Sequence, residues 1–189
     1  MAFYPVMLKL KGKRCLVVGG GKVAYRKVVH LLEVEAFVTV ISPSFIEEIL
    51  SIGEKGRLTV LKRKYKEADV KGFFLAFACT DDKEVNKFVA KDGEKYGVLV
   101  NVVDDIDTSS FIVPAVVRRG DLVISISTGG KSPLLSKKIK EKLESTFDKR
   151  YEKLLEELYM VREEIKVSNL SEEDKIKIYE EIIEKSRLF

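Results

Sequence analysis

The chain has 189 residues, 46% of them hydrophobic, and a net charge of +4, which suits one α/β domain with an appendage and a sizeable core. No run reaches the roughly 18–20 apolar residues of a membrane span, and the start MAFYPVMLKLKGK lacks the basic-then-apolar layout of a signal peptide, so a cytoplasmic protein with no membrane partner is expected. The two cysteines, Cys15 and Cys79, lie in apolar strand-like runs and read as buried thiols. With His30 as the one histidine, they argue against a dedicated transition-metal cage, so no metal ligands are assigned.

Arg14–Val18 (RCLVV) is a near-continuous apolar run, as a buried parallel strand reads. It enters GGGKVA, where Gly19, Gly21 and Ala24 fit the G-x-G-x-x-G/A turn of dinucleotide-binding folds. The first glycine permits the tight turn. The second lets the backbone approach a pyrophosphate, and the small Ala24 lets the helix pack close to the strand. Amides at the helix start then face the phosphates. A methyl-donor nucleotide suits related turns, so the turn alone leaves the cofactor open. Lys22 to Glu33 reads as the helix, with Val23, Val28, Leu31 and Leu32 inward and His30 as a packing or surface residue.

Ala36–Ile41 is the second strand. Pro43 ends it, and Ser44 opens a short helix through Leu50. The strand end Val40-Ile41-Ser42-Pro43-Ser44 has no acid for ribose hydroxyls. Ser42, Ser44 or backbone groups must serve, and the choice between NAD and NADP stays open. Arg26 and Lys27 either attract a 2′-phosphate or are simply solvated.

Arg57–Leu61 and Gly72–Cys79 are the third and fourth strands. Ligands of such folds sit at the carboxyl ends of strands, which places Thr80 on the nucleotide cleft, while Asp81 and Asp82 read as helix caps. Lys83–Tyr96 is a helix and Val98–Val103 a fifth strand ending at Asp104-Asp105. A carboxylate there suits accepting a proton as hydride leaves, or displacing protons when a metal enters a ligand; a polar turn is the other reading. Strands alternating with helices indicate a doubly wound parallel sheet.

After Asp107 the pattern changes. Phe111–Arg118 and Leu122–Ser127 read as strands joined by a hairpin turn at Arg119-Gly120-Asp121. Ser132 and Pro133 start a helix to about Ser145. Within SISTGGKSP, the residues Ser127, Thr128, Gly129, Gly130 and Lys131, with Arg118 and Arg119 nearby, suit binding of carboxylate or phosphate. From Phe147 the chain is helical in period, with Leu154, Leu155, Leu158, Val161 and Ile165 on one stripe, and Ser171 restarts a last helix. From Ser145 onward the balance is −3, leaving +7 on the rest. That charge favours an anionic ligand, and no nucleic-acid motif is present.

Several segments together, YPVMLKLKGKRCLVVGGGKVAYRK, VTVISPSF, ACTDDKEVN, LVNVVDD, SFIVPAVVRRGDL and ISISTGGKSPLLSKKI, resemble the precorrin-2 dehydrogenase family of siroheme synthesis, including its members that are also sirohydrochlorin ferrochelatases. The resemblance covers about the first three quarters of the chain and is far more specific than the glycine turn. It implies a Rossmann-like NAD-binding domain over residues 1–110, a strand-containing dimerisation region over 111–146 and a small helical C-terminal domain over 147–189. It further implies a homodimer, oxidation of the tetrapyrrole precorrin-2 to sirohydrochlorin with NAD, Asp104 as the key aspartate, and cofactor contacts at Lys22, Val23, Pro43 and Ser44. Fe²⁺ as a substrate of a second, chelatase activity is optional in such relatives. The length leaves no room for the methyltransferase domain that some relatives carry, so methylation of the precursor is expected from another protein. One departure from the pattern is Glu33-Val34-Glu35-Ala36, where the resemblance leads one to expect Gly-Ala before the second strand. A nucleotide-sensing module with an acidic partner and a chelatase without redox activity are the competing readings; turnover of precorrin-2 with NAD⁺ separates the dehydrogenase from both, and metal insertion into sirohydrochlorin without nucleotide isolates the chelatase.

Overall fold

The computed structural model describes residues 3–189, which divide after Val113 into two compact units. In the first, five parallel strands, β1 (Arg14–Val18), β2 (Phe37–Ser42), β3 (Thr59–Lys62), β4 (Leu75–Ala78) and β5 (Leu99–Val102), are ordered β3-β2-β1-β4-β5. Helices α1 (Lys22–Glu33) and α2 (Glu47–Glu54) carry the chain outward from β1 to β3; it then returns beside β1 as β4, and α3 (Lys83–Tyr96) leads to β5. The order therefore reverses between β1 and β4, which opens a crevice at the carboxyl ends of these strands.

The strands are apolar on both faces because both are covered. Cys15, Val17, Val38, Val40, Leu75 and Phe77 pack with Ala24, Val28 and Leu31 of α1 and Ile49 of α2. Leu16, Val18, Ile41, Ala76, Ala78, Val100 and Val102 pack on the other side with Val89 of α3. The β3–β4 connection is pinned by Asp92 of α3, which is buried and accepts hydrogen bonds from the Tyr65 hydroxyl (2.8 Å) and the Ala68 N–H (2.9 Å).

Element boundaries depart from the sequence reading where tertiary hydrogen bonds intervene. The Ile46 N–H donates to Gly20 O (2.9 Å) and Ile46 stays extended, so α2 begins at Glu47 with Ile46 as its N-cap, and Ser44 does not cap it. The strand expected over Phe111–Arg118 starts only at Ala115. Before it, Ser110 N–H bonds to Val100 O (2.7 Å) and Phe111 O accepts from the Asn101 side chain (2.9 Å). The outer edge of β5 is thus satisfied largely by serines, with Val100 and Val102 donating to Ser110 Oγ (3.2 Å) and Ser109 Oγ (2.9 Å).

The second unit holds an antiparallel hairpin, β6 (Ala115–Arg119) and β7 (Leu122–Ile126), and helices α4 (Pro133–Thr146), α5 (Arg150–Lys166) and α6 (Glu172–Ser186). Its turn is the pair Gly120-Asp121, with Gly120 at φ +56°, the first-position glycine of a II′ turn. Ser132 caps α4 and Pro133 is its first residue; Ser171 caps α6. Arg119 donates to Glu144 O (3.0 Å), placing a cation at the negative end of α4. Of the expected stripe on α5, Leu154 and Ile165 are buried, Leu158 and Val161 half-buried, and Leu155 exposed. Tyr151 packs between Phe147 and Phe189, and its hydroxyl donates to Leu188 O (3.0 Å).

Candidate active site

The loops leaving β1, β2, β4 and β5 meet at one edge of the parallel sheet. Each of the three glycines after β1 meets a different constraint. Gly19 has φ +127°, and a Cβ there would lie 2.5 Å from Cys79 O, so this turn must pass hard against the end of β4. Gly20, a free position in the G-x-G pattern, is the most confined: its Cβ would lie 1.9 Å from Ser44 O and 2.9 Å from Ser42 Oγ. The third consecutive glycine was the sequence signal for that approach, and the motif passes over it. Gly21 is the reverse case. It is the N-cap of α1 at φ −93°, a Cβ there would meet nothing within 4 Å, and α1 has neither a side-chain cap nor an acid in its first turn.

Open space over uncapped helix amides is the geometry an anionic group requires. Lys22 is exposed, Val23 half-buried and Ala24 fully buried beneath the turn. Pro43 and Ser44 are exposed at the end of β2, whereas Ser42 is buried. Lys27 stacks over the Phe77 ring of β4 (5.2 Å), on the side of β1 away from β2, so it is not the cation of a 2′-phosphate site beside β2. Burial holds its ammonium below the ordinary lysine range, with the neighbouring Cys79 opposing and Arg26 adding to the effect. His30 sits exposed in the last turn of α1.

At the end of β4, Thr80 is half-buried, and Asp82 caps α3 by accepting from the Glu84 and Val85 N–H groups. Asn86, absent from the sequence-derived site, is buried and bonded to Thr80. After β5, Asp104 is exposed at φ +62°, a left-handed conformation that a non-glycine residue keeps only when its surroundings enforce it. The enforcing bonds are local: Asp105 N–H to Val102 O (3.3 Å), and Ser109 Oγ to Asp105 O (2.6 Å). The Asp105 carboxylate accepts from Thr108 N–H (3.2 Å), and hydrogen bonds from Thr108 hold it below the usual carboxylate range. Of the two acids, Asp105 is committed to the turn, and Asp104 is the one displayed. A 650 Å³ cavity over β2 and β3, lined by Phe37, Thr39, Thr59, Leu61 and Phe73 among others, contains none of these residues.

In the second unit, Gly129 and Gly130 have φ +61° and +79°. Gly129 N–H donates to Ser127 Oγ (3.0 Å), Lys131 N–H to Thr128 O (3.1 Å) and Ser132 N–H to Thr128 Oγ1 (3.1 Å). Most amides of this loop are therefore engaged internally. The charged groups left exposed are the side chains of Lys131 and Arg118, while Arg119 is tied to α4.

Residues 6–115 match a family model for NAD(P)-binding, and residues 119–146 match one for the central region of sirohaem biosynthesis proteins. The siroheme synthase of Chromobacterium violaceum is 44% identical over 154 residues, covering 82% of this chain and 33% of that protein. The chain thus spans about a third of the length of such relatives. The precorrin-2 dehydrogenase of Priestia megaterium is 40% identical over 181 residues, covering 96% of this chain and 89% of that protein. The solved structure of SirC, a precorrin-2 dehydrogenase, superposes with a TM-score of 0.85 at 39% identity, covering 99% of this chain and 93% of SirC.

Proposed function

Because the chain belongs to the precorrin-2 dehydrogenase family, we propose that it oxidises precorrin-2 to sirohydrochlorin in siroheme biosynthesis, with NAD⁺ as the hydride acceptor. The observation that carries this is the open, uncapped start of α1 at Gly21 on the same sheet edge as the displayed Asp104. The amides following Gly19 and Gly21, at Lys22 and Val23, take the pyrophosphate. Pro43 and Ser44 border the adenine ribose, and Thr80 lines the β4 side. Lys27 is turned onto Phe77 and so is withdrawn from a 2′-phosphate beside β2, which supports NAD over NADP.

When bound, the nicotinamide supplies the two-electron acceptor. Asp104 accepts the proton that leaves the macrocycle with the hydride, so the substrate loses one hydride and one proton. Its left-handed backbone and the serine-pinned turn set Asp104 at the exposed end of β5. In the second unit the exposed side chains of Arg118 and Lys131, rather than the internally bonded Gly129 amide, are the groups suited to substrate carboxylates, in keeping with the +7 carried outside the tail.

The working unit is a homodimer. The β6–β7 hairpin packs against α4 and α5, which covers only part of its apolar surface. Here Ala115, Val116, Leu122, Val123 and Ile124 are only half-buried, and Leu134, Leu135 and Ile139 of α4 are exposed. This apolar surface suits a second copy. The likeness to siroheme synthases supports a second step, insertion of Fe²⁺ as substrate into sirohydrochlorin, with Asp104 receiving pyrrole protons. Both cysteines are free and buried, which suits the cytoplasm. Parallel anaerobic assays of precorrin-2 with NAD⁺ and NADP⁺ test the cofactor choice: a higher kcat/KM with NAD⁺ supports it, and a preference for NADP⁺ overturns it.

A further inference from the structure

Asn86 stands in the first turn of α3 and is 5% exposed. Its Oδ1 accepts from the Thr80 N–H (3.1 Å) and the Thr80 hydroxyl (2.7 Å), and its Nδ2 donates to Thr80 O (2.9 Å). A primary amide has two donor hydrogens and two acceptor lone pairs, and three of these four close on one residue. The helix itself does not require this, because Asp82 already caps it through Glu84 N–H (2.9 Å) and Val85 N–H (3.2 Å). Burying an amide there is costly unless it is satisfied, and all of its bonds serve the loop after β4.

That loop is the wall of the cleft. Cys79 N–H donates to Val18 O (2.7 Å), and the Cys79–Thr80 backbone presses against Gly19, leaving 2.5 Å and 3.3 Å from Cys79 O and Thr80 N to a hypothetical Cβ. By fixing both ends of Thr80, Asn86 sets the plane of this wall. It also sets what Thr80 offers. The N–H is engaged, and the single hydroxyl hydrogen goes to Asn86 Oδ1 or to Asp82 O (2.9 Å). Thr80 then has only acceptor lone pairs left for a ligand.

We infer that Asn86 is a positioning residue of the cofactor site, holding Thr80 as an acceptor-only contact for a hydroxyl or carboxamide N–H of the dinucleotide. This rests on the nicotinamide-cofactor reading above. Asn86→Asp in the full chain gives the sharpest test, with NAD⁺ affinity measured by calorimetry across pH. The ionised carboxylate keeps the acceptor but sets oxygen against Thr80 O, whereas the protonated acid donates there as the amide does. At pH 8 the variant should bind NAD⁺ at least tenfold more weakly than the parent, and the ratio should shrink towards one as pH falls towards 5.5. Asn86→Ala should raise KM for NAD⁺ about tenfold or more and leave KM for precorrin-2 within twofold. A purely structural role would instead lower the active fraction and leave both KM values alone. Should neither variant fold, Thr80→Val probes the same contact, and parent-like NAD⁺ affinity in it overturns the inference. So does parent-like affinity at pH 8 in either folded Asn86 variant. If the parent itself binds no NAD⁺, the nicotinamide reading has failed instead.

Discussion

Replacing Gly21 by alanine adds one methyl where the cofactor phosphates approach, and the consequences for folding and for binding separate cleanly. At φ −93° any residue is accommodated, and the new Cβ meets nothing within 4 Å. Loss of unfolded-chain freedom favours alanine by about 0.4–1 kcal/mol. The preference for glycine over alanine at an N-cap opposes this by a similar amount, roughly 0.5–1 kcal/mol. The two offset, so Tm should stay within about 3 °C of the parent at roughly 2–4 °C per kcal/mol for a chain of this size. NAD⁺ binding should weaken at least tenfold, about 1.4 kcal/mol, because the methyl stands between helix amides and pyrophosphate. Gly20→Ala is the counterpart. Its Cβ would sit 1.9 Å from Ser44 O and 3.0 Å from Phe45 Cα, both backbone atoms, so the loop after β2 must move. Overpacking of this kind costs about 1–3 kcal/mol, a Tm loss of several degrees. Calorimetric titration and thermal melts on both variants decide the matter. Unchanged NAD⁺ affinity in a folded Gly21→Ala protein refutes the placement of the phosphates on this turn.

Asp104→Asn preserves shape and tolerance of the left-handed backbone but cannot accept a proton; kcat for precorrin-2 oxidation should fall about 10²–10⁴-fold with NAD⁺ affinity unchanged, and full turnover would remove Asp104 as the base. Glu35 sits at φ +56°, a left-handed conformation that glycine adopts without a Cβ penalty. Glu35→Gly should stabilise the fold by about 0.5–1 kcal/mol, relief of left-handed strain exceeding the added chain entropy, and a lowered Tm would contradict this. Burial pushes the Cys15 thiol up to about 11 and the Cys79 thiol up to about 12 from an ordinary 9.0. Native protein at pH 8 should resist iodoacetamide. Above pH 9 the unfolded thiols ionise while the folded ones keep their protons, so stability should fall as pH rises beyond that value, which urea titrations between pH 8 and 10 can follow.

The sheet was legible because burial of a parallel strand on both faces leaves an unmistakable apolar run. Arg14–Val18 and the helices Lys22–Glu33 and Lys83–Tyr96 appear in the structure with the bounds read from the sequence. The glycine turn was legible as a motif but not in its division of labour, since the confinement of Gly20 comes from Ser44, on the loop after β2 whose Ile46 N–H bonds back to Gly20 O. Asn86 lies inside the matched segment ACTDDKEVN, yet local pattern cannot reveal that its amide folds back six residues onto Thr80. The short strands were over-extended for the same reason: side chains such as Ser109, Ser110 and Asn101 complete the sheet edge without forming strands. The helix cap at Ser132 was readable because capping depends on residues three apart, whereas the internal bonds of the Gly129–Lys131 loop depend on a fold that only the whole connection defines.

The most direct measurement is anaerobic turnover of enzymatically generated precorrin-2 with NAD⁺, following NADH and the sirohydrochlorin spectrum together. The account predicts that the two appear in equal amounts and at equal rates, and that this coupling is lost in Asp104→Asn. Sirohydrochlorin formed no faster than without protein, with no NADH from either nicotinamide nucleotide, would contradict it.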